Sequence, residues 1–207
     1  MEELLPENML EPQTEPALTP EAVLPPPAPQ EQVKWGQILL DVVETVVLAL
    51  VLFFGINAVS ARVRVDGFSM NPTLRDGEFV LVNRLAYRVG EMERGDIIVF
   101  RSISSEMDLI KRIVGLPGDE VMVNNRQVFV NNQLLDEPYI AESPNYQGQW
   151  RVPDGHLFVL GDNRNDSSDS HQWGLLPIDN VIGKAVFIYW PFREWGLIRH
   201  YDLLTST

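Results

Sequence analysis

Apolar residues run almost unbroken through one segment of the chain and alternate with polar ones through another. From Ile38 to Ala61 the sequence reads ILLDVVETVVLALVLFFGINAVSA, with Asp41 and Glu44 its only charges. The charge-free stretch from Thr45 to Ala61 covers 17 residues, about 26 Å as a helix. Adding the turn with Asp41 and Glu44 spans the roughly 30 Å hydrocarbon core of a bilayer. The pattern predicts a single membrane helix over 37–61, with Trp35 as an interfacial aromatic. A buried core helix would not be apolar on every face. A cleaved signal peptide fits less well: the run starts late, lacks a basic n-region, and leads into Arg62 and Arg64 rather than a small-x-small cleavage site.

Beyond residue 61 the period changes from helical to alternating. FVLVNRLAY, DIIVF, LIKRIVG, EVMVNNRQVFVNN, HLFVLGD and AVFIYW are short runs rich in Val, Ile and Phe, each ending at Gly, Asn, Asp or Pro. EVMV-NNRQ-VFVNN predicts a β-hairpin with an Asn-rich turn. No helical period of any length appears in 62–207, and no internal repeat. The expected fold is therefore mostly β: an N-terminal transmembrane helix followed by an antiparallel β domain, barrel-like or folded double.

Composition adds a third segment. Residues 1–36 hold eight of the fifteen prolines and seven glutamates against the single base Lys34. Such a stretch has little to bury and few donors for helix or sheet, so it reads as a disordered acidic tail. The whole chain of 207 residues carries 16 bases and 29 acids, a net charge of −13. That excludes a nucleic-acid binder, which needs a basic face. The absence of cysteine excludes disulfides, thiolate metal sites and a cysteine nucleophile.

Candidate chemistry lies in three places. In VDGFSMNPTLRDGEFVLVN, 65–83, Ser69 sits between glycine and proline turns that permit close approach of a substrate. In DLIKRIVGLPGD, 108–119, Lys111 lies on an apolar strand, where alternation puts it on one face with Leu109 and Ile113. Desolvation lowers the pKa of such a lysine, and a neutral amine can take a proton from a serine. A snorkelling surface lysine is the alternative. GDNRNDSSDSHQWG, 161–174, is a polar loop suited to supporting a site from behind. It lacks the glycine and glutamate of a calcium loop at the required positions. Among His156, His171 and His200, only His171 lies in that loop, and no HExxH or G-x-S-x-G accompanies it.

These segments, in this order after a membrane helix, resemble type I signal peptidases over roughly 34–194. The boxes are Gly67-Phe68-Ser69-Met70-Asn71-Pro72-Thr73-Leu74, RGDIIVF at 94–100, Lys111 to Asp119, and Gly161 to Ser170. The resemblance implies a serine endopeptidase with Ser69 as nucleophile and Lys111 as general base. It implies that Ser167 orients the lysine, that Asp169 is a structural acid, and that Val65, Met70, Leu74, Leu109 and Ile110 form substrate pockets. It implies no cofactor and no metal. Gly67 stands where some members have a serine that helps the oxyanion, and His171 stands where the family usually has arginine. The histidine version looks like the cyanobacterial and plastid branch.

The resemblance further implies cleavage of signal peptides from exported preproteins after Ala-x-Ala, with the lipid bilayer and the export translocon as partners. It places the catalytic domain on the extracytoplasmic side of the cell membrane, or of the thylakoid membrane in a cyanobacterium. That overrides the basic residues Arg62 and Arg64, which by the positive-inside rule alone point the other way. Two alternatives compete. A LexA-like self-cleaving serine–lysine protease would need a DNA-binding domain and an internal Ala-Gly or Cys-Gly site. An inactive membrane-anchored binding protein would be expected to have lost Ser69 or Lys111.

Overall fold

A computed structural model describes residues 34–103, 105 and 107–204; the acidic tail, apart from 34–36, lies outside them. The chain divides into two compact units, Met1–Glu44 and Thr45–Thr207. Helix α1 runs from Trp35 to Val59, 25 residues with none buried, about 37 Å long. It is the one helix among the described residues long and apolar enough to cross a membrane.

The helix ends two residues before the predicted boundary. Ser60 and Ala61 open strand β1, Ser60–Arg64, and pair with Asn83 and Val82 of β2, Phe79–Asn83. The apolar run continues into β1 because an edge strand with one covered face uses the same residue types as the end of a membrane helix.

The remaining strands are β3 (Ile97–Arg101), β4 (Asp108–Gly115), β5 (Glu120–Asn124), β6 (Gln127–Val130), β7 (Gln133–Leu134), β8 (Gly148–Arg151), β9 (His156–Leu160), β10 (Leu176–Pro177), β11 (Val181–Trp190) and β12 (Gly196–Leu197). Two one-turn helices, α2 (Ala86–Val89) and α3 (Ser170–Trp173), interrupt them. All pairings are antiparallel. One sheet has the order β1-β2-β11-β3-β4-β9-β10, with β12 on β11; the other has the order β7-β6-β5-β8. The mostly-β expectation is met.

Local sequence explains the strand types. In β2 only Val80 and Val82 are fully buried, giving one covered face. In β3, Ile97 to Phe100 are all buried, so both faces are covered. Ile97 and Val99 join one core with Val65, Met70, Leu74 and Ile110. Ile98 and Phe100 join a second with Ile113, Leu157 and Val159. A third core, under the smaller sheet, gathers Val121, Val123, Val128, Val130, Phe158 and Leu203. Each such side chain contributes about 1.5–3 kcal/mol on burial. The Asn-rich hairpin forms, but tighter than a four-residue turn. Asn124 pairs with Gln127, and only Asn125 and Arg126 form the loop, with φ of 48° and 62°. Two left-handed residues match the twist of the flanking strands. Asn131 and Asn132 repeat the device before β7.

Candidate active site

The loop joining β1 to β2 carries Ser69. It is closed by hydrogen bonds from Val65 N to Glu78 O, from Gly77 N to Val65 O and from Gly67 N to Asp76 Oδ1. Gly67 has φ of +91°, a left-handed conformation that favours glycine. A second clamp comes from the 161–170 loop. Asn163 N donates to Ser69 O at 3.0 Å and Asn163 Nδ2 to Phe68 O at 3.2 Å. Among the described residues, none of the loop's hydrogen bonds uses the Ser69 amide.

Lys111 reaches this serine from β4. Its Nζ lies 2.7 Å from Ser69 Oγ and donates to Ile110 O at 3.0 Å. The residue is 3% exposed. Burial lowers its pKa from 10.5 to about 8, although the carboxylates of Asp169 and Asp162 pull it upward. The snorkelling alternative is thus ruled out by position. Leu109 and Ile113 share one core on either side of Lys111, as alternation predicts, while Ile110 faces the other.

A groove of about 530 Å³ runs beside the pair, lined by 62–66 of β1 and its loop, Ser69, Met70 and 107–111. Of the predicted pocket residues, Val65, Met70, Leu109 and Ile110 lie on it. Leu74 does not: it is fully buried with Val65, Met70 and Ile110, beneath the floor. Both walls offer free strand edges. Among the described residues β1 pairs only with β2, and the first half of β4, Asp108 to Lys111, pairs only with β3 because β9 begins its register at Arg112.

Of the two expected supporting residues, Asp169 sits as a structural acid would and Ser167 does not make the expected contact. Asp169 is fully buried; its Oδ2 accepts from Gly161 N at 2.9 Å and its Oδ1 caps α3. His171 donates Nδ1–H to Asp169 Oδ1 at 2.6 Å, and its ring stacks on Tyr146 with centroids 3.9 Å apart. Lys111, not His171, is therefore the group that touches Ser69 Oγ. The expected hydrogen bond from Ser167 to Lys111 is not formed. Ser167 Oγ is buried without a partner among the described residues, and Nζ is engaged by Ser69 and Ile110 instead.

Gly161 explains the crowding. A Cβ there would fall 2.2 Å from Ser167 Oγ and 2.4 Å from Ser69 O. Gly161→Ala must therefore displace the loop that carries Ser69. A shift of about 1 Å in a catalytic group costs on the order of a hundredfold. We expect kcat/KM to fall by roughly that factor, with the β fold retained by circular dichroism; near-normal turnover would contradict the clamp.

Sequence reasoning missed Asn163, Arg112 and Arg164. Arg112 and Asp162 form a buried bidentate pair at 2.8 and 2.7 Å, and Arg164 pairs with Glu137 at 2.7 Å. The GDNR tetrapeptide was the available signal, because two opposite charges in four residues after an apolar strand need partners if the loop is buried.

The profile of the signal peptidase, peptidase S26 family matches residues 39–190. The chain belongs to this family. It is 39% identical over 189 residues to a signal peptidase I of Leptolyngbya laminosa, covering 86% of this chain and 93% of that one. It is 41% identical over 191 residues to the probable signal peptidase I-1 of Synechocystis, covering 88% and 95%. The probable signal peptidase I-2 of the same organism is 41% identical over 167 residues, covering 77% of each. The resemblance to cyanobacterial members is thus upheld. As a signal peptidase the chain is a serine endopeptidase that processes signal peptides of exported preproteins, and it belongs to a membrane-associated family. The repressor-type self-cleaving protease and the inert binding protein are set aside.

Proposed function

We propose that Ser69 is the nucleophile and Lys111 the general base of this signal peptidase, acting on preproteins bound as an extended strand in the groove between β1 and β4. The observation that carries the reading is the 2.7 Å contact between a desolvated Lys111 Nζ and Ser69 Oγ at the floor of that groove. An extended peptide adds to both free edges at once, a β-augmentation that supplies affinity through backbone hydrogen bonds. Alternate side chains then point onto the apolar floor of Val65, Met70 and Ile110, a surface that suits the small residues of Ala-x-Ala.

In the reaction, neutral Lys111 takes the Ser69 proton as Oγ attacks the scissile carbonyl. In this reading the Ser69 amide receives the oxyanion, since Gly67 supplies no hydroxyl. Lys111 returns the proton to the leaving amine, and water, activated by the same lysine, hydrolyses the ester. Asp169 and Ser167 support the site through Gly161 and the 161–170 loop. The domains of the reading are an acidic tail, a single membrane span and a catalytic domain on the extracytoplasmic side of the cell or thylakoid membrane. There Ser69, ten residues after Val59, meets signal peptides at the lipid surface beside the translocon.

The test is the full chain reconstituted in vesicles with an Ala-x-Ala preprotein. Wild type should release mature protein and Ser69→Ala should not, while added protease should digest the domain of wild-type molecules in intact spheroplasts. Full activity of Ser69→Ala would overturn the assignment, and protection of the domain in spheroplasts would overturn the topology.

A further inference from the structure

Arg62 and Arg64 follow the membrane helix directly, on what the topology proposed above makes the translocated flank. Bases beside a span are disfavoured there, so the two arginines call for another role. Alternation along β1 supplies it. Ala61, Val63 and Val65 turn toward the core beneath the groove, whereas Arg62, Arg64 and Asp66 are exposed on the other face. The residues paired with the two arginines across β2 are Leu81 and Phe79, which carry no charge. Arg64 Nη1 lies 3.4 Å from Asp66 Oδ1, an exposed pair that offsets part of its charge. Arg62 has no carboxylate partner among the described residues. On the facing wall, Asp108 is already held by Arg101 at 2.7 Å.

A peptide strand added to the free edge of β1 continues its pleat, so its side chains alternate in step with those of β1. The small residues first and third before the cut then rest on the floor with Val63 and Val65. The second and fourth project on the face of Arg62 and Arg64. Side chains paired across strands stand about 4.5–5.5 Å apart at Cβ, within reach of a guanidinium. Ser69 and Lys111 mark one end of the groove, and Arg62 and Met107 the other. The second residue therefore falls beside Arg64 and the fourth beside Arg62.

We propose that Arg62 and Arg64 form a charge-reading rim of the substrate groove, favouring acidic and rejecting basic side chains at the fourth and second residues before the cut. This rests on the groove and the Ser69–Lys111 reading above. The fourth position is the stricter, because Asp66 offsets Arg64 and nothing described offsets Arg62. The floor admits small side chains at the first and third positions; the rim then ranks preproteins that all meet that requirement. Exposed ion pairs are weak and screened by salt, so the ranking is graded. Exchanging Glu for Lys at the fourth residue should change kcat/KM by roughly three- to tenfold at low ionic strength.

The experiment uses the full-length enzyme in vesicles of zwitterionic lipid, with one preprotein whose cleavage region ends in Ala-x-Ala. Glu, Gln and Lys are placed in turn at the second or the fourth residue before the cut. The Glu-to-Lys ratio of kcat/KM is measured for wild type, Arg62→Glu and Arg64→Glu. A ratio taken within one enzyme cancels any general change in stability or membrane seating. The wild-type ratio should exceed one at both positions and be larger at the fourth. Arg62→Glu should invert it mainly at the fourth position, and Arg64→Glu mainly at the second. High salt should bring every ratio toward one. Wild-type ratios near one would overturn the proposal, as would ratios that neither variant moves. Equal shifts at both positions in both variants would mean a diffuse surface or lipid effect and would overturn it too. If wild type leaves the Gln preprotein uncut, the function proposed above fails and the rim falls with it.

Discussion

Replacing Lys111 with methionine is expected to abolish cleavage and to stabilise the protein. The loss of activity follows from the contact with Ser69 Oγ at 2.7 Å: without a base in reach the hydroxyl keeps its proton, and a fall of a thousandfold or more is expected. The gain in stability follows from burial. Desolvation lowers the lysine's pKa to about 8 against 10.5, even with Asp169 and Asp162 opposing it. Between about pH 8 and 10.5 the unfolded chain therefore binds more protons than the folded one, so stability rises with pH through that window. Below pH 8 the full cost applies, about 3 kcal/mol at 1.36 kcal/mol per pH unit. Methionine has a similar length and no charge to desolvate. Its melting temperature should exceed that of wild type at pH 7, with the difference shrinking as pH approaches 10.5. In the wild type, kcat/KM should rise with pH and level off above about 8, since only about a tenth of Lys111 is neutral at pH 7. A pH-independent rate, or a methionine variant that melts lower at pH 7, would count against a desolvated base.

The parts of this picture that were legible from sequence are those with a local signature. Alternating Val and Ile marked the strands, and a lysine between apolar neighbours marked Lys111, because one strand contains both the signal and its cause. Boundaries were less legible. Val59 and Ser60 fall in one apolar run, yet the first ends a helix and the second starts a strand, and only pairing with Asn83 decides it. The role of Ser167 was inferred by resemblance, and its hydroxyl has no partner among the described residues. The polar core was the least visible. Arg112 lies 50 residues from Asp162, and nothing around either residue shows that both will be fully buried. Lys111 and Arg112 are adjacent, so the two cations had the same outward signature. Strand alternation sends them to opposite faces, one to a serine and the other to a carboxylate.

That second cation sets the largest expected effect on folding. Arg112 and Asp162 are each wholly buried, joined by two hydrogen bonds of 2.8 and 2.7 Å, with Arg112 Nη1 donating to Gly95 O at 2.7 Å. The guanidinium also lies over the Tyr139 ring, 4.0 Å from its centroid. Asp162→Ala leaves this cation in a dry core with one backbone acceptor and a ring face. Breaking a buried pair from one side costs about 3–5 kcal/mol, a large share of the 5–15 kcal/mol that holds a domain together. For a domain of this size the melting temperature should drop by roughly 10 °C or more. The double change Arg112→Met with Asp162→Leu removes both charges and should recover most of that loss, which separates a stranded charge from lost packing. Function should move as well. Asp162 pulls the pKa of Lys111 upward, so at temperatures where Asp162→Ala remains folded, the rise of kcat/KM should shift to lower pH than in wild type. Melts and pH–rate curves on the same preparations read both effects. A loss below 1 kcal/mol would mean that water or a rearranged side chain reaches Arg112, and an unmoved pH–rate curve would mean that the Asp162 charge is not felt at Lys111.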